Sequence, residues 1–214
     1  MSEAAFNLQA RLDPEDQARA DFYALLARLF ADAPDTGLLA AIANAEPLAP
    51  SRSAHDLDDV AAGLAEAWER LRAASAAMDA DAAAEEFQAL FVGVGRSEVS
   101  PYASHYLGPQ TGRPLAEIRT ALAELGLARR PGSSEFEDHL AVHLETMRML
   151  VAGDGERRPA ELAQQRLFFE RHIAPWVFAC CTAISESPVA NYYRCVAQFL
   201  RCFVALEHDS FAIG

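Results

Sequence analysis

The side chains best suited to chemistry by type and spacing lie in EDHLAVHLE, Glu137 to Glu145, where His139 and His143 stand four residues apart. On a helix this spacing puts both imidazoles on one face, so with Glu145 they could hold a metal ion. A zinc protease carries its base directly after the first His, and Leu140 stands there instead. A di-iron bundle also needs a partner Glu-x-x-His helix, and none is evident. Ser100 and Ser104 flank Pro101 and His105, but nothing orients a Ser-His pair as a nucleophile. A G-x-S-x-G elbow, a P-loop and a Rossmann glycine fingerprint are absent, and GVGR at Gly93 to Arg96 is too short to cradle phosphate. The expectation is a protein that is not an enzyme, with no catalytic residue, no bound metal and no cofactor. The alternative is a helical-bundle metal protein or small redox enzyme using His139 and His143.

A second local feature is EEFQALFVGVGRSEVSPYASHYL, Glu85 to Leu107. Phe87, Leu90 and Phe91 share a helical face, and Gly93, Gly95 and Pro101 fall where a core helix would continue. Gly admits backbone angles other residues resist, and Pro restricts itself and its predecessor, so the chain must bend here. A bent aromatic segment either lines a groove or plugs a core corner. Asp138, at a helix start beside His139, either interacts with the helix dipole or receives a cation.

These features must be positioned by helices, because apolar residues recur at three and four and no run alternates long enough for a sheet. Asp13-Pro14-Glu15-Asp16 is a helix start, followed by an apolar face of Phe22, Leu25, Leu26, Leu29 and Phe30. A short helix is expected over Leu38 to Ala43, then a Pro-bounded loop from Pro47 to Ser53. The spacing of Leu57, Val60, Leu64, Trp68 and Leu71 predicts a long helix over 54–77. Another is expected from Pro114 to Leu127. Ala128 to Ser134, ARRPGSS, reads as a hinge between sub-bundles 1–127 and 135–214 of one domain. Ser134 and Glu137 match a capping box for the next helix, which Gly153 and Gly155 end. Helices from Pro159 and Pro175 follow, and Ser187-Pro188 reads as the cap of the last. The expected fold is all-α, a single helical domain of nine to ten helices in two sub-bundles.

The 214 residues, 51% hydrophobic, suffice for a core without a disulfide or metal staple. The net charge is −13 and every basic residue is Arg, none Lys. Such a surface repels nucleic acid and anionic membrane and favours a cationic peptide. Cys180, Cys181, Cys195 and Cys202 lack C-x-x-C spacing and read as small buried hydrophobes in a reducing compartment. No signal peptide and no membrane-spanning run is evident, so a soluble cytoplasmic protein is expected.

Taken in order, Glu86, Leu90, Phe91, Pro101, Tyr102, Ser104, Tyr106 and Leu107, then Asp138-His139, then Leu144, Glu145 and Met147, then Phe168, Phe169, His172 and Trp176, resemble the motifs of the TorD/DmsD/NarJ family of redox-enzyme maturation chaperones. The resemblance spans nearly the whole chain. It implies a cytoplasmic chaperone that binds the twin-arginine leader or N-terminal segment of a molybdopterin-dependent oxidoreductase subunit until the cofactor is inserted. Arg113 to Leu127 and the DHLAVHLETM helix look most similar to the branch associated with formate dehydrogenases. The implied peptide site comprises Phe87, Leu90, Phe91, Pro101, Tyr102, Ser104, Tyr106, Asp138 and His139, with Glu86 or Glu137 as further acceptors of arginine. Phe87 stands where some members carry Trp, which removes an indole donor. A homodimer, with exchange of halves at the hinge, stays open.

Overall fold

The computed structural model describes residues 12–48, 57–93, 97–108, 113–127, 136–154 and 157–213. Asp13 opens α1 (Pro14–Ala31), its carboxylate accepting from the N–H groups of Glu15 and Asp16 at 2.9 Å. Pro14 fills the first position, where an N–H would have no partner. Asp35 caps α2 (Thr36–Ala43) in the same way, and α3 (Leu57–Ala77) follows. The next helix, α4 (Ala80–Phe87), runs into a wide turn over Gln88–Val92, closed by Gly93 N donating to the Gln88 carbonyl five residues back at 2.7 Å. Gly93 leaves that turn at φ 60°, which a side chain would resist.

Short α5 (Ala103–Leu107) and α6 (Arg113–Glu124) lead to α7 (Leu140–Ala152). Then α8 (Leu162–Phe168) widens at Phe169–Ile173, and α9 (Val177–Glu186) and α10 (Tyr192–Ile213) complete the order. Among the described residues there is no strand, only an antiparallel bridge between Tyr102 and His139. The all-α single-domain architecture, with ten helices among the described residues, agrees with the periodicity.

The longest helix pairings are α1 along α7 and α3 along α10. Both join residues before 128 to residues after 135, so one core serves both halves. Phe22 ties the pairs together, with its ring 5.6 Å from Trp68, 5.1 Å from Phe199 and 5.6 Å from Phe203. The expected hinge at 128–134 lies outside the described residues.

Three helix starts differ from the sequence expectation: α8 begins at Leu162 rather than Pro159, and α7 and α10 are displaced further. Instead of beginning near Ser134, α7 begins at Leu140, because His139 is held in an extended conformation between two cross-chain hydrogen bonds, Ala103 N donating to the Asp138 carbonyl at 2.9 Å and Leu140 N to the Pro101 carbonyl at 2.8 Å. Its cap is His139, whose Nδ1 accepts from Ala141 N at 3.1 Å. Nor do Ser187 and Pro188 cap α10. That helix starts at Tyr192, and Glu86 reaches across from α4 to accept from the N–H groups of Asn191 (2.8 Å), Tyr192 (3.0 Å) and Tyr193 (2.8 Å). A carboxylate at a helix N-terminus satisfies orphan donors and interacts favourably with the dipole. Glu86→Ala is therefore expected to cost about 2 to 3 kcal/mol. Urea unfolding checks this, and a loss under about 0.5 kcal/mol would mean that water caps α10 equally well.

Candidate functional site

The bridge between Tyr102 and His139 brings together the two segments that the sequence analysis singled out. Pro101 keeps the approach extended and forfeits no donor, since it has no N–H. Tyr102 stands before α5 in a β conformation, and Gly108 ends that helix at φ 112°. Asp138 is 2% exposed, and its Oδ2 accepts from Ser104 N at 3.2 Å. Its partner is thus the start of α5, not the start of its own helix, which corrects the dipole reading made from sequence. The cause is the bridge, which turns Asp138 toward the neighbouring corner.

Ser100, Tyr102, Ser104, His105, Leu115, Phe136 and Asp138 line an open cleft of about 520 Å³. Two half-exposed aromatic rings stand in it, Tyr102 and Phe136, with centroids 6.4 Å apart and planes at 65°. Tyr102 also meets the His139 ring edge-on at 4.8 Å. Because His139 Nδ1 accepts a backbone N–H, the proton of the neutral ring sits on Nε2. Behind the cleft, Tyr106 stacks on Trp176 at 5.6 Å and donates to the Ser100 carbonyl at 3.0 Å. Trp176 in turn donates to the His172 carbonyl at 2.6 Å. These contacts fix the cleft's back wall.

Of the residues proposed from sequence, Tyr102, Ser104 and Asp138 line this cleft. Pro101, Tyr106 and His139 support it from behind. Phe87, Leu90 and Phe91 do not line it. They are 6%, 0% and 9% exposed and join the core, where Phe91 meets Phe30, Phe87 and Tyr193. The physical reason is the wide turn, which rotates this aromatic face onto α1 and α10. Glu86 is committed to α10, and Glu137 pairs with Arg119 at 3.1 Å. Sequence reasoning missed Phe136 and Leu115 as cleft residues. The signal for Phe136 was its place two residues before Asp138, hidden by the assumption that the helix had already begun.

The geometry does not favour the metal alternative. His139 Nδ1 is occupied by the backbone, and Glu145 is held by Arg148 at 2.8 Å. Among the described residues no three His, Cys, Asp or Glu side chains come together as metal ligands. Cys180 and Cys181 are buried free thiols, and burial pushes Cys180 up to about 12. Cys195 and Cys202 are half-buried rather than buried as expected.

His143 is 1% exposed, with both ring nitrogens buried. Burial, and then the nearby His172, push its imidazole down to about 3. In the unfolded chain the same ring takes a proton near pH 6.5. The stabilisation from keeping it neutral is complete above that value and is lost as pH falls from there toward 3. Between about pH 7 and about pH 5 the loss should reach about 2 kcal/mol. Urea midpoints at both pH values should show this slope flattened in His143→Leu. An equal slope in both proteins would place the acid sensitivity elsewhere.

Residues 57–182 match the model of the nitrate reductase delta subunit family. A chaperone protein TorD from Psychrobacter sp. is 31% identical over 167 residues, 75% of this chain and 76% of that protein. A TorD from Photobacterium profundum is 27% identical over 61% of this chain and 64% of its own length. A probable Tat proofreading chaperone DmsD from Haemophilus influenzae is 28% identical over 53% of this chain and 54% of its own. The chain thus spans less than two thirds of the length of the last two. Over most of its described helices and both segments of the cleft, the chain belongs to the TorD/DmsD/NarJ family of redox-enzyme maturation chaperones.

Proposed function

We propose that the protein is a cytoplasmic chaperone for a molybdopterin-dependent oxidoreductase subunit, and that the cleft over Asp138 receives an arginine of the client's twin-arginine leader or N-terminal segment. The observation that carries this reading is the state of Asp138. Its carboxylate is at a cleft wall with one hydrogen bond, and among the described residues no basic side chain pairs with it. A carboxylate beside aromatic and aliphatic side chains suits a guanidinium, which is planar, weakly hydrated and bidentate. A leader joins that dication to an apolar run of about 7 to 15 residues. Leu115, Phe136 and the 40%-exposed Leu107 offer apolar surface nearby. The net charge of −13 raises the encounter rate with such a peptide. No helix among the described residues is long and apolar enough to cross a membrane. The likeness of Arg113 to Leu127 to the formate dehydrogenase branch makes such a subunit the first client to try.

Calorimetric titration of a twin-arginine leader peptide tests the reading. Asn at position 138 can still accept from Ser104 N, so Asp138→Asn should fold with an unchanged melting temperature. Its affinity should fall by about 2 to 5 kcal/mol, the range for removing one partner of a buried charge pair. A twin-lysine peptide should bind the wild type more weakly. Unchanged affinity and unchanged Arg/Lys preference in Asp138→Asn would remove the arginine from this cleft.

A further inference from the structure

We propose that Glu137 is a second guanidinium subsite beside Asp138, and that in the peptide-free protein the chain's own Arg119 fills it and gives way to the leader's other arginine. This rests on the leader-binding reading above. One carboxylate forks to one guanidinium, so Asp138 accounts for only half of a twin-arginine pair. Glu137 is the adjacent carboxylate, and it stands in the chain between two residues that line the cleft, Phe136 and Asp138. Across from it is α6, whose Leu115 lines the same cleft and whose Arg119, about one turn further on, reaches Glu137. The ion pair therefore lies at the rim of the cleft. Arg119 itself shows that Glu137 accepts a guanidinium there, with Nε and Nη2 both donating to Oε2 at 3.1 Å. Because both nitrogens go to one oxygen, the pair lacks the parallel two-oxygen fork of a strong arginine–carboxylate contact. The Arg119 side chain is also 50% exposed, against 16% for Glu137, and a cation so placed is weakly held and exchanges readily. The exchange puts one guanidinium in place of another, so Glu137 stays paired while Arg119 moves into solvent. A peptide with a single arginine fills Asp138 and leaves Arg119 where it is. Only a twin-arginine peptide competes with it.

The experiment titrates a twin-arginine leader peptide, and two peptides with either arginine replaced by glutamine, into wild type, Arg119→Gln, Glu137→Gln, the double variant, Asp138→Asn and Arg70→Gln. Arg70 lies on α3, outside the cleft lining, and is 62% exposed, so Arg70→Gln measures what loss of one surface charge does by itself. Because Arg119 is half exposed, Arg119→Gln should keep the wild-type melting temperature. It should bind the twin-arginine peptide about two- to fivefold more tightly, since the internal competitor is gone. The single-arginine peptides should gain no more from Arg119→Gln than from Arg70→Gln. In the Glu137→Gln background the extra gain should vanish, and if Glu137→Gln fails to fold, the comparison of twin- and single-arginine peptides decides alone. An unchanged or weakened twin-arginine affinity in Arg119→Gln would overturn the inference. So would an equal gain for all three peptides, or a gain that persists without the Glu137 charge, since either would mean plain repulsion rather than competition for a site. If Asp138→Asn still loses affinity in those cases, the leader-binding reading stands. No binding of any of the peptides to wild type would overturn both.

Discussion

Glu207→Ala is expected to destabilise the protein by about 3 to 5 kcal/mol, the range for stripping one partner from a buried ion pair. Glu207 lies on α10 and is 3% exposed. Its two oxygens accept from Arg19 Nε at 2.8 Å and Nη2 at 2.9 Å, and Oε2 also accepts from the Tyr23 hydroxyl at 2.8 Å. Burial, and then the Glu207 charge, hold the Tyr23 hydroxyl well above its ordinary pKa, so it remains a donor. Arg19 extends the network to Asp16 at 2.7 Å and to the Gln165 side chain at 3.1 Å, joining α1, α10 and α8. Truncation would leave a part-buried guanidinium with weaker partners and a buried hydroxyl with none. Urea unfolding measures the loss, and Glu207→Gln, which keeps volume and acceptors on one side, should fall between Ala and wild type. A Glu207→Ala protein within about 1 kcal/mol of wild type would show that the network is solvated rather than cohesive.

Phe91→Ala is expected to cost a similar amount, about 3 to 5 kcal/mol, through lost burial and the cavity left behind. Its ring contacts Phe87 at 5.3 Å, Tyr193 at 5.1 Å and Phe30 at 5.8 Å, so it joins α4 to α10 and α1. Tyr102→Ala should differ in kind. The backbone bridge to His139 survives the truncation, and the half-exposed ring contributes mainly a cleft wall, so stability should drop by no more than about 1 kcal/mol while leader affinity falls. Thermal and urea unfolding of both variants beside peptide titration would separate the roles. Equal melting temperatures for Phe91→Ala and wild type would remove Phe91 from the core.

What the sequence determined by itself is the helical content, because its determinants are local. A period near 3.6 marks α1, α3 and α10, Asp13-Pro14 states the start of α1, and Gly153 at φ 73° ends α7 where a Cβ would meet the Arg157 carbonyl. The order of the motifs from Glu86 to Trp176 likewise carried the family, since it requires only reading along the chain. The cleft was only partly legible. Tyr102, Ser104 and Asp138 could be named from the chain, but their partners could not, because each lies more than thirty residues away across the bridge at 102 and 139. The same holds for Glu86, whose carboxylate caps a helix 105 to 107 residues downstream. Whether Phe87, Leu90 and Phe91 faced a groove or a core, and whether Phe136 faced a helix or a cleft, was decided by tertiary packing alone. Amphipathic spacing states that a face will be buried, not which surface buries it, and a backbone hydrogen bond between distant segments can move a helix start without leaving any mark in local composition.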